Sequence, residues 1–227
     1  MDALARAEAL TDYAAGTAGC VRCPLSETRN LVVFGSGDPD ADLMLVGEAP
    51  GFQEDQGGPA FAGQAGGLLE RLLADIGLAP DDVYLANVLK CRPPQNRDPL
   101  ESEIASCEPH LFRQVELVRP RVVATLGNFA TKLLSGRPYG ITRVHGQEHE
   151  VTLGGTRVVL FPLYHPAAAL YTPSMLQALE GDFSRLPALL GRESPAPNPP
   201  SVVTDEEASP SVDEHAVGAV ATQLGLF

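Results

Sequence analysis

The spacing of hydrophobic positions along this chain alternates between two periods, which predicts helices that alternate with strands. Apolar residues three and four apart predict helices over residues 3–15, 64–78, 99–118 and onward from 173. Short continuous apolar runs predict strands at 31–34 and 43–47 and onward from 83, 121 and 157. This alternation indicates an α/β fold with a mostly parallel sheet that helices cover on both faces.

Candidate chemistry follows three of the predicted strands. The segment GEAPG at 47–51, Asn87 and His165 each come at or just after the end of a strand. Because parallel strands bring their carboxyl ends to one edge, we expect these groups to lie close together. The turn GEAPGFQED leaves Glu48 and Glu54 at this edge, although an ordinary surface turn uses the same residue types.

A glycine-rich loop, GGPAFAGQAGGLL, leads into the helix at 64–78 and carries one aromatic residue, Phe61. It lacks the Lys-Ser/Thr pair and the G-x-G-x-x-G spacing of nucleotide-binding loops, so it gives little support to a nucleotide site. Phe61 is either a core residue or a ring that stacks on a flat ligand.

The four cysteines of the chain have the number and partial spacing of a metal site. Cys20, Cys23, Cys91 and Cys107 form a C-x2-C-x67-C-x15-C pattern. In a reducing compartment such a pattern favours metal ligands over disulfides, and four thiolates can hold either zinc or an iron–sulfur cluster. The alternative is that some of these thiols are ordinary core residues.

The composition of the 227-residue chain, 44% hydrophobic, predicts one sizeable domain over residues 1–191. The Pro-, Ser- and acid-rich residues 192–227 are predicted to be a disordered tail. The sequence has no apolar run long enough to cross a membrane and no basic start typical of a signal peptide, so we expect a cytoplasmic protein.

The formal net charge of −13 argues against a nucleic-acid partner, but it describes the whole chain and not one face. Basic residues outnumber acidic ones within residues 86–143. Lys90, Arg92 and Arg97 in that stretch are candidates for phosphate contact, whereas a solvated helix face is the alternative explanation.

The chain resembles the family 4 uracil-DNA glycosylases over roughly residues 5–190. The resemblance is carried by the four cysteines, GEAPGFQED, GPAFAGQAGGLL, NVLKCRPPQNRDP and HPAAAL, in that order. It implies a three-layer α/β/α sandwich with a central, mostly parallel sheet, and a [4Fe-4S] cluster on Cys20, Cys23, Cys91 and Cys107. It also implies hydrolysis of the N-glycosidic bond of uracil in DNA, by an enzyme expected to act as a monomer.

The resemblance suggests roles for the residues at the strand ends. Asn87 would read the imide edge of a flipped uracil, since one amide can both donate and accept a hydrogen bond. Phe61 would stack on the ring, in a pocket that Gly47 helps to form. His165 would donate a hydrogen bond to uracil O2 as negative charge develops there. An Asn that caps a turn and a structural histidine are the alternatives.

The residues alone do not decide which group assists the attacking water. Ala49 stands where another branch of the superfamily has an aspartate, so Glu48 and Glu54 are the candidates, with Asn96 behind them. A carboxylate near the sugar would orient water and offset the charge of an oxocarbenium-like transition state. Glu54 would alternatively exclude the methyl group of thymine.

Leu170 and Tyr171, which follow HPAAA, stand where the superfamily has its intercalating loop, and we expect them to act as a wedge in DNA. The alternative is that Leu170 packs under the last helix. We further expect the cluster to order the loop with Lys90, Arg92 and Arg97 for phosphate contact, because this hydrolysis needs no redox step.

The chain ends in QLGLF, which resembles the short QLxLF motif that binds the bacterial sliding clamp. Gln223, Leu224, Leu226 and Phe227 would then dock into an apolar groove, with the acidic tail as a tether. A frayed apolar end is the alternative.

Two other functions fit the sequence less well. One is a glycosylase for hypoxanthine or xanthine, or a variant that links covalently to DNA; GEAPG and the absence of a histidine between Asn87 and Cys107 favour the uracil enzyme. The other is a non-catalytic nucleic-acid-binding module stabilised by zinc.

Overall fold

A computed structural model describes residues 1–191 and contains a six-stranded sheet. Its strands are β1 (Ser36–Gly37), β2 (Leu43–Gly47), β3 (Tyr84–Asn87), β4 (Val122–Leu126), β5 (His149–Leu153) and β6 (Thr156–Leu163). Their order across the sheet is β1-β3-β2-β4-β6-β5. The four inner strands are parallel, and β1 and β5 pair antiparallel at the two edges.

Helices connect the parallel strands, as the alternating pattern predicts. They are α1 (Ala3–Thr17), α2 (Phe52–Asp55), α3 (Gly63–Asp75), α4 (Glu101–Val118), α5 (Asn128–Ser135), α6 (Ile141–Val144), α7 (Pro166–Ala169), α8 (Pro173–Phe183) and α9 (Leu186–Leu190). Polar side chains fix the starts of the two longest helices. Asp2 accepts a hydrogen bond from the Ala5 amide in α1, and Glu103 accepts one from the Leu100 amide in α4.

Two hydrophobic cores lie on the two faces of the sheet. One contains Leu43 and Leu45 of β2 with residues of α3, α8 and α9. The other contains Met44 and Val46 with residues of α1, α4 and α5. Neighbouring residues of a strand point to opposite faces, so a strand buried on both faces reads as a continuous apolar run. The three-layer α/β/α fold is therefore confirmed.

The prediction of a strand at residues 31–34 is wrong. This segment runs beside the sheet as irregular backbone, and the first strand begins at Ser36. Val33 is 5% exposed and its amide donates to the Lys90 carbonyl at 2.8 Å. The apolar run therefore reflects burial and not a place in the sheet.

Two further features departed from the sequence pattern. The β5–β6 hairpin was missed because β5 alternates between exposed and buried positions and carries three polar residues. The helix predicted from 173 is two helices, α8 and α9, which meet at Ser184 and Arg185.

Among residues 1–191, no helix is long and apolar enough to span a membrane. The predicted tail and the QLGLF motif lie outside the described residues and stay predictions.

Candidate active site

The parallel strands end at one edge of the sheet and bring the predicted groups together there. Gly47, the last residue of β2, is in register with Asn87, the last residue of β3. Leu126 of β4 is likewise in register with Leu163 of β6. His165 follows β6 by two residues, so it lies at the same edge.

Two other side chains approach Gly47 closely. A Cβ atom on Gly47 would lie 2.5 Å from Asn87 Oδ1 and 2.7 Å from Phe61 Cζ, closer than real Cβ contacts allow. Asn87 is 4% exposed and Phe61 9% exposed. The amide of Asn87 and the edge of the Phe61 ring therefore converge on the same glycine, and any larger residue would push them away.

The backbone of Phe61 adopts an unusual conformation. Its φ angle is 61°, in the left-handed region that costs a non-glycine residue free energy. Gly66, in the first turns of α3, makes this possible: a Cβ atom there would lie 1.6 Å from the Phe61 carbonyl oxygen. The glycine-rich loop thus places one aromatic ring.

His165 faces the Phe61 ring, with ring centroids 6.4 Å apart and planes inclined by 28°. The Ala167 amide donates to Nδ1 of His165 at 3.1 Å. An acceptor Nδ1 puts the proton of the neutral ring on Nε2, which leaves Nε2 as a donor. Burial lowers the pKa of His165 to about 4, so the ring is neutral at physiological pH. The sequence left this tautomer undetermined.

Glu48 follows β2 and is half-buried, and it feels a second carboxylate that the sequence pattern did not single out. Burial, reinforced by the negative charge of Asp98, raises the pKa of Glu48 above its ordinary value. The Glu48 carbonyl accepts a hydrogen bond from the Leu89 amide at 2.9 Å, which joins this turn to the segment after β3. Asp98 lies in a polar, Pro-rich loop, so only proximity in the fold reveals it.

Glu54 occupies a different position. Its Oε2 lies 2.8 Å from where a Cβ of Gly51 would stand, so the carboxylate folds back over the turn that begins α2. Its neighbour Asp55 is 2% exposed and accepts hydrogen bonds from the amide and side chain of Asn30. Asp55 therefore anchors this short helix, a role that the acidic pattern did not predict.

The four cysteines line one pocket, together with Arg22, Arg29, Lys90 and His110 among others. Arg29 Nη1 lies 3.5 Å from Cys91 Sγ, and the Lys90 amide lies 3.3 Å from Cys107 Sγ. Burial raises the pKa of the Cys91 thiol to about 11 and also raises the pKa of Cys107. Buried thiols of this kind ionise when a bound cationic centre compensates their charge.

Within residues 1–191, no group of three or more His, Cys, Asp or Glu side chains has the arrangement to hold a single metal ion. All four cysteines are unpaired and they surround the pocket from three parts of the chain. This donor set, all sulfur with N–H groups directed at two of the sulfur atoms, fits a cluster that supplies its own bridging atoms.

Comparison with known proteins agrees with this geometry. A family model described as the Uracil DNA glycosylase superfamily matches residues 34–185. The chain belongs to this superfamily. A type-4 uracil-DNA glycosylase of Archaeoglobus fulgidus is 42% identical over 192 residues, which cover 83% of this chain and 96% of that protein.

Two further relatives place this superfamily member in the type-4 branch. The type-4 uracil-DNA glycosylase of Saccharolobus solfataricus is 44% identical over 172 residues, 74% of this chain and 80% of that protein. That of Sulfurisphaera tokodaii is 43% identical over 172 residues, 74% of this chain and 78% of that protein. The resemblance to family 4 is therefore confirmed.

The structure of this type-4 glycosylase overturns the role predicted for Lys90. Lys90 is 1% exposed, and its Nζ donates to the Asn87 carbonyl at 2.8 Å and to Gln114 Oε1. A side chain closed off in this way does not reach DNA phosphate. Lys90 lies within an unbroken run of buried residues from Val83 to Cys91.

Arg97 pairs with a carboxylate of its own chain while its side chain stays 38% exposed, and the predicted phosphate contact stays a prediction. Its two Nη atoms donate to the carboxylate of Glu103 at 2.9 and 2.6 Å, and Glu103 is 1% exposed. The pair fastens the loop before α4 to the first turn of that helix. Hydrogen bonding from Arg97 correspondingly lowers the pKa of Glu103.

The remaining predicted residues lie in the segments that follow β2, β3 and α7. Arg92 Nε donates to Asn96 Oδ1 at 2.6 Å. Ala49 is half-buried and packs beside the cysteine-lined cluster. Leu170 is 38% and Tyr171 80% exposed directly after α7, so the structure does not bury Leu170 under the last helix.

Proposed function

We propose that this protein is a monofunctional uracil-DNA glycosylase that flips uracil out of DNA and hydrolyses its N-glycosidic bond in base excision repair. One observation carries the proposal. An amide, an aromatic ring and a neutral histidine with a free Nε2 donor meet at the strand ends, in Asn87, Phe61 and His165. The type-4 relatives support the same activity.

Base recognition rests on Asn87 and Phe61. The amide can donate to one imide atom of uracil and accept from the other, and cytosine presents the opposite pattern. Since Asn87 is nearly closed to water, a base with the wrong pattern leaves buried groups unpaired, which costs about 1–3 kcal/mol for each group. The Phe61 ring supplies a flat apolar surface for the flipped base.

His165 stabilises the leaving base. As the glycosidic bond breaks, negative charge builds on uracil O2, and Nε2 can donate a hydrogen bond to it. A neutral donor suits this step because it does not have to be deprotonated or recharged during the reaction. Such preorganised donors typically contribute on the order of 3 kcal/mol to the transition state.

Glu48 is the carboxylate that we assign to the water and the sugar. Its carboxylate lies at the end of β2 in the same turn as Gly47, and it must be ionised to orient water or to offset positive charge on the sugar. Glu54 folds over Gly51. Its role is either to support water binding or to exclude the methyl group of thymine.

Cys20, Cys23, Cys91 and Cys107 would hold a [4Fe-4S] cluster in the pocket that they line. Such a cluster supplies a covalent link between the segment after α1, the segment after β3 and helix α4. Iron and acid-labile sulfide analysis of the purified brown protein would support it, whereas a colourless zinc protein would refute it.

One assay tests the activity. The full-length protein is incubated with single- and double-stranded oligonucleotides that carry U, T, hypoxanthine or C, and the products are treated with alkali. Strand breaks at U alone support the proposal. Breaks at hypoxanthine would establish the broader glycosylase, and intact strands throughout would exclude a glycosylase.

The C-terminal motif carries a separate proposal. Gln223, Leu224, Leu226 and Phe227 match the spacing of a clamp-binding peptide and would dock into an apolar groove of the sliding clamp. Deletion of residues 223–227 should abolish pull-down of the clamp and leave uracil excision unchanged. Retained pull-down would contradict the assignment.

A further inference from the structure

Phe52 is an exposed aromatic ring in the segment that follows β2. It is the first residue of α2, four residues after Glu48, and 54% of it is exposed. Every other phenylalanine within residues 1–191 is buried or half-buried. A ring exposed to this extent is accessible for stacking on a flat ligand.

The ring is held in place by its surroundings. Asp55, on the same short helix, is buried and bonded to both the amide and the side chain of Asn30 at 2.9 and 2.7 Å. The guanidinium of Arg92 lies over the Phe52 ring, 5.1 Å from its centroid. Arg92 is in turn fixed by Asn96. Phe52 is therefore a preorganised surface and not a free side chain.

Arg92 keeps hydrogen-bonding capacity beyond these contacts. Its Nε donates to Asn96, and within residues 1–191 its two Nη groups have no hydrogen-bond partner. A guanidinium with free Nη groups is well suited to phosphate. An exposed ring with an adjacent free cation is the combination that binds a nucleotide, with the base on the ring and the phosphate on the guanidinium.

The pair also lies on the two segments that follow the ends of β2 and β3. Arg92 follows Asn87 in the segment after β3, and Glu48 is bonded to that segment through its carbonyl and Leu89. Phe52 follows Glu48 in the segment after β2. Both members of the pair thus extend from the two strands whose ends form the pocket.

We propose that Phe52 and Arg92 form a platform for the nucleotide next to the uracil on the same strand. The base of that neighbour stacks on Phe52, and Arg92 binds its phosphate. The platform would hold the strand while the uracil is turned into the pocket. This inference rests on the proposed function, because it takes the ligand of the site to be a DNA strand.

The test uses single-stranded oligonucleotides with one uracil, in which the 5′ or the 3′ neighbour is either thymidine or a tetrahydrofuran abasic analogue. Phe52→Ala should raise KM for the thymidine-flanked strand by roughly tenfold, within the range for loss of one base–aromatic stack. When the abasic analogue stands on the side of the platform, the same variant and the parent should bind the strand with equal affinity. Phe52→Trp should keep the KM of the parent on both.

A second readout does not depend on cleavage. With 2-aminopurine beside a 2′-fluorinated, uncleavable uridine, the parent protein should quench the fluorescence and Phe52→Ala should not. Leu4→Ala, a control at an exposed residue of α1, should match the parent in both experiments.

Two results would overturn the platform. One is an unchanged KM and unchanged quenching in Phe52→Ala. The other is an equal loss on base-flanked and abasic-flanked strands, which would mean that Phe52 acts only through the fold. If the parent protein removes uracil, either result leaves the glycosylase proposal intact. If the parent removes no uracil, that proposal fails, and the quenching experiment alone decides the platform.

Discussion

Two glycines determine where Asn87 and Phe61, the side chains that we assign to base binding, lie. Gly47 leaves space for Asn87 and Phe61 to meet, and Gly66 lets the Phe61 carbonyl approach the backbone of α3. A methyl group at either position would collide with backbone or with a packed ring. The two contacts therefore set the geometry of the pocket at the level of single atoms.

Adjacent glycines in α3 offer a matched test. Gly66→Ala should raise KM for uracil-containing DNA at least tenfold and lower the free energy of unfolding by about 1–3 kcal/mol, because the loop must move. Gly67 has open space around its Cα, so Gly67→Ala should leave KM unchanged and add up to about 1 kcal/mol of stability by helix propensity. Steady-state kinetics and urea unfolding measure both, and equal effects of the two substitutions would refute the steric role of Gly66.

The raised pKa of Glu48 predicts the acid limb of the pH profile. Its carboxyl takes up a proton as pH falls, earlier than an ordinary glutamate would, and the single-turnover rate should fall with it. Glu48→Gln should be slower at pH 7 by on the order of 100-fold and should lack this limb. His165, with a pKa of about 4, contributes no charge change between pH 5 and 8.

Stability provides the complementary check on Glu48. Because its pKa is higher in the folded state than in the unfolded chain, the ionised carboxylate lowers the free energy of unfolding as pH rises through that pKa. Glu48→Gln should therefore be more stable than the parent at pH 7, with the difference shrinking at acid pH. An acid limb that survives in Glu48→Gln and disappears in Glu54→Gln would move the assignment to Glu54.

The positions of the residues at strand ends could be predicted, whereas the contacts inside a network could not. Asn87 and His165 follow apolar runs, so the topology alone brings them together. Lys90 has the same charge as a DNA-binding lysine, and its burial depends on Gln114, which is distant in sequence. Asp98 acquires its influence on Glu48 through space in the same way.

At the level of elements, a buried hydrogen-bond network joins β3 to α4. Lys90 donates to the Asn87 carbonyl and to Gln114 Oε1, while Gln114 Nε2 donates to the Phe34 carbonyl and contacts the Tyr84 hydroxyl. Gln114 is fully buried. The end of the strand that carries Asn87 is therefore positioned by a helix side chain and by the irregular segment before β1.

Removal of one hydrogen-bonding partner from this network should lower the free energy of unfolding. Gln114→Ala should lower the free energy of unfolding by roughly 2–4 kcal/mol, because it leaves the buried ammonium of Lys90 short of an acceptor. Lys90→Met combined with Gln114→Leu should cost clearly less than the sum of the single changes. Urea denaturation gives these values, and Gln95→Ala, at an exposed position, is the control. Strictly additive losses would mean that the two side chains do not act as a pair.

Among the elements, the parallel strands and the long helices were predictable because buried runs and helical periods are strong local signals. Residues 31–34 were not, since burial against the cysteine-lined cluster and the core gives the same apolar run as a strand. The edge strand β5 was missed for the opposite reason, because it has little buried surface.

On the scale of the whole molecule, an acidic protein must bind a polyanion through a small basic surface. Lys90 is buried and Arg97 is paired with Glu103, so fewer cations are free than the sequence suggested. Arg92→Gln should reduce the slope of log affinity against log salt by about 0.7 for single-stranded DNA, the value for one phosphate contact. Arg97→Gln should leave the slope unchanged even if it weakens binding. Equal slopes for the parent and Arg92→Gln would exclude a phosphate contact at Arg92.

The cysteine pocket ties three distant parts of the chain together, so its loss should affect the whole molecule. Cys107→Ala should lose iron and lower the melting temperature by several degrees or more, as the loss of a metal cross-link does. Calorimetry and iron analysis measure this without reference to activity. An iron-free protein with the melting temperature of the parent would show that the pocket has no structural part.

The left-handed backbone of Phe61 has a consequence for anyone who evolves this scaffold. Gly or Asn would relax φ = 61° and gain stability, yet either would take away the ring. A library screened for thermal stability alone would therefore enrich variants that are stable but lack the ring at position 61 and are inactive. Activity should be part of the screen from the first round.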